Sequence, residues 1–329
     1  MFALKKWMDM TASPCGTSKE AYMQLKSKDL LGLKDLSREE IDLILETAFM
    51  MKNVVESGNK RTAHLRGKTV ITLFYENSTR TRLSFELASK YMGSSSANIS
   101  SSTSSVNKGE NLLDTARTID AMATDILIMR HPHSGAPEFI AGKVKASVIN
   151  AGDGMNEHPT QSLLDMMTII ENKGSLEGKK IAIVGDILHS RVARSNIWGM
   201  TAMGAKVYIA GPKTMIPKDI EASGAILCPN INFACDGADV IMALRLQLER
   251  QQDSLFPNIA EYARFYGLDD KVVSRAKEDV MILHPGPCNH GVEMTSSVYD
   301  SANSFINQQV TNGVAIRMAI MYLLNTRRN

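Results

Sequence analysis

The residues Phe74 Tyr75 Glu76 Asn77 Ser78 Thr79 Arg80 Thr81 Arg82 join the end of an apolar run, Lys68 to Tyr75, to a segment with Leu83, Phe85, Leu87, Ala88 and Tyr91, which Gly93 closes. A strand that runs into a helix start leaves backbone N–H groups unpaired and a partial positive charge. The hydroxyls of Ser78, Thr79 and Thr81 and the Arg80 fork would surround an anion there, a phosphate above all. An ordinary Ser/Thr cap beside two solvated arginines accounts for the same residues, so this stretch alone leaves both readings open.

Two further runs end in donors. Ile126 to Arg130 is apolar and stops at Arg130 and His131, while Ser147 to Ala151 leads through Gly152 Asp153 Gly154 to Glu157 His158 Pro159 Thr160 Gln161. Strands that alternate with helices make a parallel sheet, whose ligands sit beyond the carboxyl ends of the strands. Arg80, Arg130 and His158 would therefore face one crevice, and that convergence favours the anion over the plain cap. After a Gly174 to Lys180 turn a second alternating unit begins, with strands expected at Ile181–Gly185, Val207–Ala210, Ala225–Cys228, Val240–Leu244 and Val280–His284. Its strand ends carry Arg191, Arg245 with Gln247, and His284 Pro285 Gly286 Pro287.

The elements that position these residues are legible from periodicity. Ser37 and Glu40 form a capping box before Ile41, Ile44, Leu45, Ala48 and Phe49 at helical spacing. Leu112, Leu113, Ala116 and Ile119 predict another helix, Thr160 to Lys173 a third, and Val192 to Met203 a fourth. Around Ile99 there is only a short apolar patch, followed by Ser100 to Glu110, too polar to pack a core: a linker, a biased accident, or a loop that closes over something with Lys108. The closing helix, Ile306 to Leu324, with Val310, Val314, Ile316, Ile320 and Leu323 apolar, is too short for a domain of its own and is expected to pack on an existing one.

Composition narrows the class. At 329 residues and 44% hydrophobic content the chain has room for two globular domains with a sizeable core. A net charge of +2 with interspersed signs excludes a basic field for nucleic acid or membrane, so anion affinity must be local. Cys15, Cys228, Cys235 and Cys288 show neither disulfide nor zinc spacing, which fits a reduced cytoplasmic protein without structural metal. The 20 methionines read as core filling. Lys5 and Lys6 precede no continuous apolar run, so the start reads as a ragged extension and not a signal, and no stretch is apolar for long enough to span a membrane.

Several motifs fail instructively. Gly67 Lys68 Thr69 lacks the glycine a P-loop needs, Thr62 standing in its place, and it precedes its strand. Gly185 is followed by Asp186 Ile187 and not by dinucleotide-binding glycine spacing, and neither a GxSxG elbow nor a pair of strand-end carboxylates is present. What remains is rich in positive donors and poor in nucleophiles. That inventory suits transfer of an activated group between two anions, where positioning and charge neutralisation suffice. Arg80 and Arg130 would hold a departing phosphate, His158 and Thr81 a carbonyl oxyanion, and Arg191 and Arg245 the two carboxylates of an acceptor.

Ser78 Thr79 Arg80 Thr81 Arg82, Lys108 Gly109 Glu110, His158 Pro159 Thr160 Gln161, Arg245 with Gln247, and His284 Pro285 Gly286 Pro287, in this order, resemble the aspartate carbamoyltransferase catalytic chains of the aspartate/ornithine carbamoyltransferase family. The resemblance runs from about Lys28 onward. Ornithine-specific members share the first motif but typically carry cysteine at the Thr160 position and lack the His284 to Pro287 string. His290, where arginine is common, and Met155 Asn156 depart from the family pattern.

The resemblance implies an α/β fold of two parallel-sheet, three-layer domains with ligands in the interdomain cleft and a C-terminal helix that packs back on the first. It implies an extension at 1–25, a carbamoyl phosphate domain at 26–160 with the helix 304–329, and an aspartate domain at 161–303. Catalysis would rest on Arg80, Thr81, Arg130, His158 and Lys108. Carbamoyl phosphate would be bound by Ser78, Thr79, Arg80, Thr81, Arg130, His158, Gln161, Gly286 and Pro287, and aspartate by Lys108, Arg191, Arg245 and Gln247. The implied reaction gives N-carbamoyl-L-aspartate and phosphate for pyrimidine biosynthesis, without cofactor or metal. Lys108 would come from a neighbouring subunit of a homotrimer with shared sites, association with regulatory chains or a dihydroorotase being left open. Two alternatives stand beside this: transcarbamoylation of another amino acid, and a non-catalytic binder of a phosphorylated metabolite.

Overall fold

A computed structural model describes residues 24–100, 111–247, 256 and 258–327. In chain order the elements are α1 (Arg38–Glu56), β1 (Thr69–Phe74), α2 (Thr79–Tyr91), β2 (Ser95–Ser100), α3 (Leu112–Ala121), β3 (Ile126–His131), α4 (Ala136–Ala141), β4 (Ser147–Asp153), α5 (Pro159–Lys173), β5 (Lys180–Val184), α6 (Arg191–Ala202), β6 (Lys206–Ala210), β7 (Ile226–Leu227), α7 (Ile231–Cys235), β8 (Val240–Ala243), α8 (Ile259–Tyr266), α9 (Asp270–Val273), β9 (Met281–Leu283), α10 (Ser296–Tyr299) and α11 (Ile306–Thr326).

Strands made of continuous apolar runs, such as β3, β4 and β8, are buried along their whole length, as sheets covered on both faces require. They assemble into two parallel sheets, ordered β2-β1-β3-β4 and β7-β6-β5-β8-β9. The first sheet reverses direction of growth between β1 and β3, the second between β5 and β8. Crevices open at such switch points, beyond the carboxyl ends of the strands. The residues that follow β1, β3, β5 and β8 include Ser78 to Thr81, Arg130 at the end of its strand, Asp186 to Arg191, and Arg245.

Local signals hold where they were read. Ser37 Oγ accepts from Glu40 N at 3.4 Å and Glu40 Oε2 from Ser37 N at 3.2 Å, closing the capping box of α1, which buries Ile41, Ile44, Leu45, Ala48 and Met51. The closing helix α11 packs against α1, α2 and α5. One continuous apolar cluster passes from Val70, Ile128 and Ile149 through Leu163 and Met167 of α5 and Ile197 of α6 to Ile183 and Met242, so α5 and α6 carry the core from one sheet to the other.

Three local expectations change. The patch around Ile99 is a full edge strand, β2, paired in register with β1 from Thr69↔Ser95 to Phe74↔Ser100; its polar residues hid it, because an edge strand facing water need not be apolar. The strand at Ala225–Cys228 contracts to Ile226–Leu227. Leu83 and Val310, taken as apolar helix positions, are exposed at 51% and 49%. Among the described residues no helix is long and apolar enough to cross a membrane.

Candidate functional site

The carboxyl ends of both sheets open on one cleft of about 1250 Å³. It is lined by Ser78, Thr79, Arg80, Thr81, Arg130, His158, Gln161, Arg191, Arg245, Gln247, Gly286 and Pro287, and also by Glu76, His133, Ser134, Leu164, His284, Gln309 and Arg317. Every site residue expected from the sequence that falls within the described residues thus faces this space. Lys108 lies outside the described residues.

The first switch point supplies a helix start. Ser78 Oγ accepts from Thr81 N at 3.3 Å, so the serine is the cap of α2, and the first turn that it caps lines the cleft. The cap and the expected anion cradle thus fall on the same residues. Arg80 extends across to the second unit: a Cβ on Gly286 would stand 2.1 Å from Arg80 Nη1, and Gly286 has φ +59°, so both the backbone and the guanidinium require glycine there. Burial, with the like charge of Arg245 acting the same way, lowers the Arg80 pKa.

The turn that carries Gly286 is shaped by His284, whose Nδ1 accepts from Gly286 N at 2.8 Å. Burial first, then the positive charges of Arg80 and Arg245, push His284 down to about 3. It is neutral at working pH, with the proton on Nε2, an atom buried without a hydrogen-bond partner among the described residues. Glu293 ties this turn to the segment after β8: Oε1 accepts from Leu246 N at 2.9 Å and Asn289 Nδ2 at 2.7 Å, and Oε2 from Asn289 N at 2.6 Å. His284, Cys288 and Glu293 also form a group of potential metal ligands within 4.8 Å of one another. The Glu293 carboxylate is already committed to these amides, so we read it as an anchor.

Glu76 organises the charges. Its Oε1 receives Arg130 Nη2 at 2.5 Å and Arg191 Nη2 at 2.6 Å, and its Oε2 receives Arg191 Nη1 at 3.1 Å. One carboxylate therefore bridges a guanidinium of the first sheet and one that begins α6 of the second. Arg191 reaches this position by crossing Gly152, where a Cβ would lie 2.8 Å from Nε and φ is +112°. Arg130 also donates to Ala151 O at 3.3 Å, and the register shift between Met129 and His131 lies at the strand end that presents it. After β8, Gln247 N donates to Asp186 Oδ2 at 3.3 Å.

Beneath the cleft lies a buried polar layer. His158 opens α5, its backbone N donating to Ser195 Oγ at 2.8 Å. Arg317 is buried in α11, donating to Gly313 O at 2.7 Å and Thr160 Oγ1 at 3.4 Å, with its guanidinium 5.0 Å from the Phe85 ring. Burial lowers it to about 10, and raises Asp165 on α5 to about 7 against the pull of its amide partners.

Sequence reading assigned no role to Glu76, Asp165, Gln309 or Arg317. Glu76 could have been singled out as an acid within a string of cationic donors, and Asp165 as the residue one helical turn after Gln161. Arg317 stood inside an apolar run, where a charge implies a buried partner.

Two family models match the chain: "Aspartate/ornithine carbamoyltransferase, carbamoyl-P binding domain" over residues 28–171, and "Aspartate/ornithine carbamoyltransferase, Asp/Orn binding domain" over 177–324. The aspartate carbamoyltransferase catalytic subunit of Ruminiclostridium cellulolyticum is 67% identical over 93% of this chain and 97% of its own. Among solved structures, aspartate transcarbamoylase from Trypanosoma cruzi in complex with carbamoyl phosphate and aspartate superposes with TM-score 0.80 at 31% identity, over 91% of this chain and 95% of that one. Ornithine carbamoyltransferase from Pyrococcus furiosus gives TM-score 0.81 at 32% identity, over 92% and 98%.

Proposed function

The chain belongs to the aspartate/ornithine carbamoyltransferase family, and on that premise we propose that it transfers the carbamoyl group of carbamoyl phosphate to the amino group of L-aspartate. The product is N-carbamoyl-L-aspartate, with phosphate released, a step of pyrimidine biosynthesis. The observation that carries the reading is the meeting of Arg80, Arg130, Arg191 and Arg245 on one cleft from the switch points of two sheets.

The donor is a mixed anhydride and needs no enzyme nucleophile. Ser78, Thr79, Arg80 and Thr81 at the helix start, with Arg130, His158 and Gln161, hold carbamoyl phosphate. Arg80 and Arg130 neutralise the phosphate as it departs. The aspartate amine attacks the carbonyl carbon; a C–N bond forms, charge passes to the carbonyl oxygen beside Thr81 and His158, and the C–O bond to phosphate breaks with its electron pair leaving on phosphate. The nitrogen gives up one proton, which the departing phosphate takes with it. Gly286 and Pro287 close the carbamoyl side of the site by their backbone, within reach of Arg80.

Arg191, Arg245 and Gln247 take the acceptor. Two guanidinium forks match two carboxylates, whereas the side-chain ammonium of ornithine would meet like charge, which is why aspartate is the acceptor that this cleft favours. Phosphate release with both substrates tests the assignment. A non-catalytic binder releases none, and an ornithine-specific enzyme responds to ornithine and not to aspartate.

The Ser100 to Glu110 stretch, with its Lys108 Gly109 Glu110 motif, supports a further part of the reading: a cytoplasmic homotrimer in which Lys108 enters a neighbour's site. The native mass tests the assembly and would also reveal any regulatory chain or dihydroorotase bound to it.

A further inference from the structure

One carboxylate below the cleft floor is bonded to three elements of the site. Asp165 is fully buried and accepts from Gln161 Nε2 at 2.9 Å and Gln309 Nε2 at 2.7 Å through Oδ1, and from Asn196 Nδ2 at 2.9 Å through Oδ2. Gln309 passes the contact on, its Oε1 accepting from the backbone N–H of His284 at 3.1 Å, at the head of the turn that holds Gly286. Chemistry settles how these amides point. A backbone N–H only donates, so Gln309 must give its oxygen to His284 and its NH2 to Asp165. The NH2 of Gln161 is held by the same carboxylate oxygen, which leaves Gln161 Oε1 as the acceptor it presents to the cleft it lines.

We propose that Asp165 is a positioning residue for the carbamoyl half of the site: it orients the Gln161 amide with its oxygen toward the substrate NH2 and, through Gln309, holds the turn that faces Arg80. The proposal rests on the carbamoyl-transfer reading and deepens it. An acceptor set at that point recognises the group by which carbamoyl phosphate differs from acetyl phosphate, an NH2 in place of a methyl. A site built to hydrogen-bond such a group rejects the analogue that lacks it, provided the acceptor cannot swing away. A buried carboxylate on a long helix supplies that restraint, and the buried Arg317 guanidinium opposes the cost of its charge.

The test compares the KM for carbamoyl phosphate with the inhibition constant of acetyl phosphate. Asp165→Ala should reduce the preference for carbamoyl phosphate at least about tenfold, as should Gln161→Ala, and on the Gln161→Ala background Asp165→Ala should cost clearly less than it does in the wild type, because only the Gln309 arm is left to lose. Asp165→Asn keeps an oxygen for both glutamines, and a flip of the Asn196 amide lets its NH2 donate to Asn196 Oδ1, a buried atom without a partner among the described residues, so it should hold the preference within about threefold. An unchanged preference in folded Asp165→Ala, or a loss on the Gln161→Ala background as large as in the wild type, overturns the proposal. Where Asp165→Ala does not fold, Gln309→Ala carries the test: kcat falls with the aspartate KM unmoved, and an unchanged kcat overturns it. Wild-type protein that fails to turn over carbamoyl phosphate with aspartate would defeat the functional reading itself, a result distinct from active wild type with an indifferent Asp165.

Discussion

Replacing Glu76 by Gln probes how the cleft balances its own charge. Arg130 and Arg191 are 9% and 4% exposed, and both lean on this one carboxylate, whose side chain is 25% exposed. The isosteric amide offers a single oxygen and turns an NH2 toward one of the guanidiniums. Removing one partner of a buried ion pair costs about 3–5 kcal/mol; because Glu76 lies at the wet mouth of the site, we expect about 1–3 kcal/mol of lost stability. Urea unfolding in chloride reads that loss directly. Phosphate then provides the discriminating arm. It restores the missing negative charge to the variant, whereas in the wild type it must compete with Glu76 for Arg130. A ligand at a hundred times its Kd stabilises by about 2.7 kcal/mol, so at matched ionic strength the gap between the two proteins should close by at least about half. A Glu76→Gln protein as stable as wild type in chloride, or a gap that phosphate leaves unchanged, would refute this account of the cleft.

Arg80→Ala should cost about 10² in kcat while the fold survives, since the side chain is a preorganised donor and not a core residue; steady-state kinetics with an unfolding curve decide it. Gly286→Ala should lower kcat at least about tenfold, because a Cβ at φ +59° would meet the Arg80 guanidinium, and normal turnover would show that the turn and Arg80 do not need to touch. His284, held down to about 3, stays neutral while the unfolded chain takes up a proton below about 6.5, so its contribution to stability is lost as the pH falls through that window, on the order of 2–3 kcal/mol by pH 4.5. His284→Asn, whose Oδ1 replaces Nδ1 as the acceptor for Gly286 N, should show a shallower acid slope, and parallel slopes would count against the burial argument. On the proposed shared site, mixed assemblies of Lys108→Ala and Arg80→Ala chains should recover part of the wild-type activity, and hybrids as inactive as their parents would remove Lys108 from the neighbour's site.

Much of the site is legible in the sequence. The apolar runs ending at Tyr75, Arg130, Ala151 and Gly185 announce parallel strands, and parallel sheets place ligands beyond their carboxyl ends, so the type of residue at each end already states the chemistry. The capping box at Ser37 and the helix start at Ser78 are local hydrogen-bond patterns within a few residues of chain, and local patterns are what a sequence displays. The β2 strand escaped because periodicity reports burial and an edge strand is little buried.

Tertiary structure alone decided which charges meet. Glu76 and Arg191 are 115 residues apart, and Gln309 and Asp165 are 144 apart. No periodicity relates such positions, because their contact depends on how α5, α6 and α11 stack the two sheets around a shared core. The sequence by itself determined that the cleft would be rich in guanidiniums; only the packing decided that Glu76 bridges two of them and that Asp165 holds the amides below, since the partner of a buried charge is whichever group the fold brings within hydrogen-bond reach.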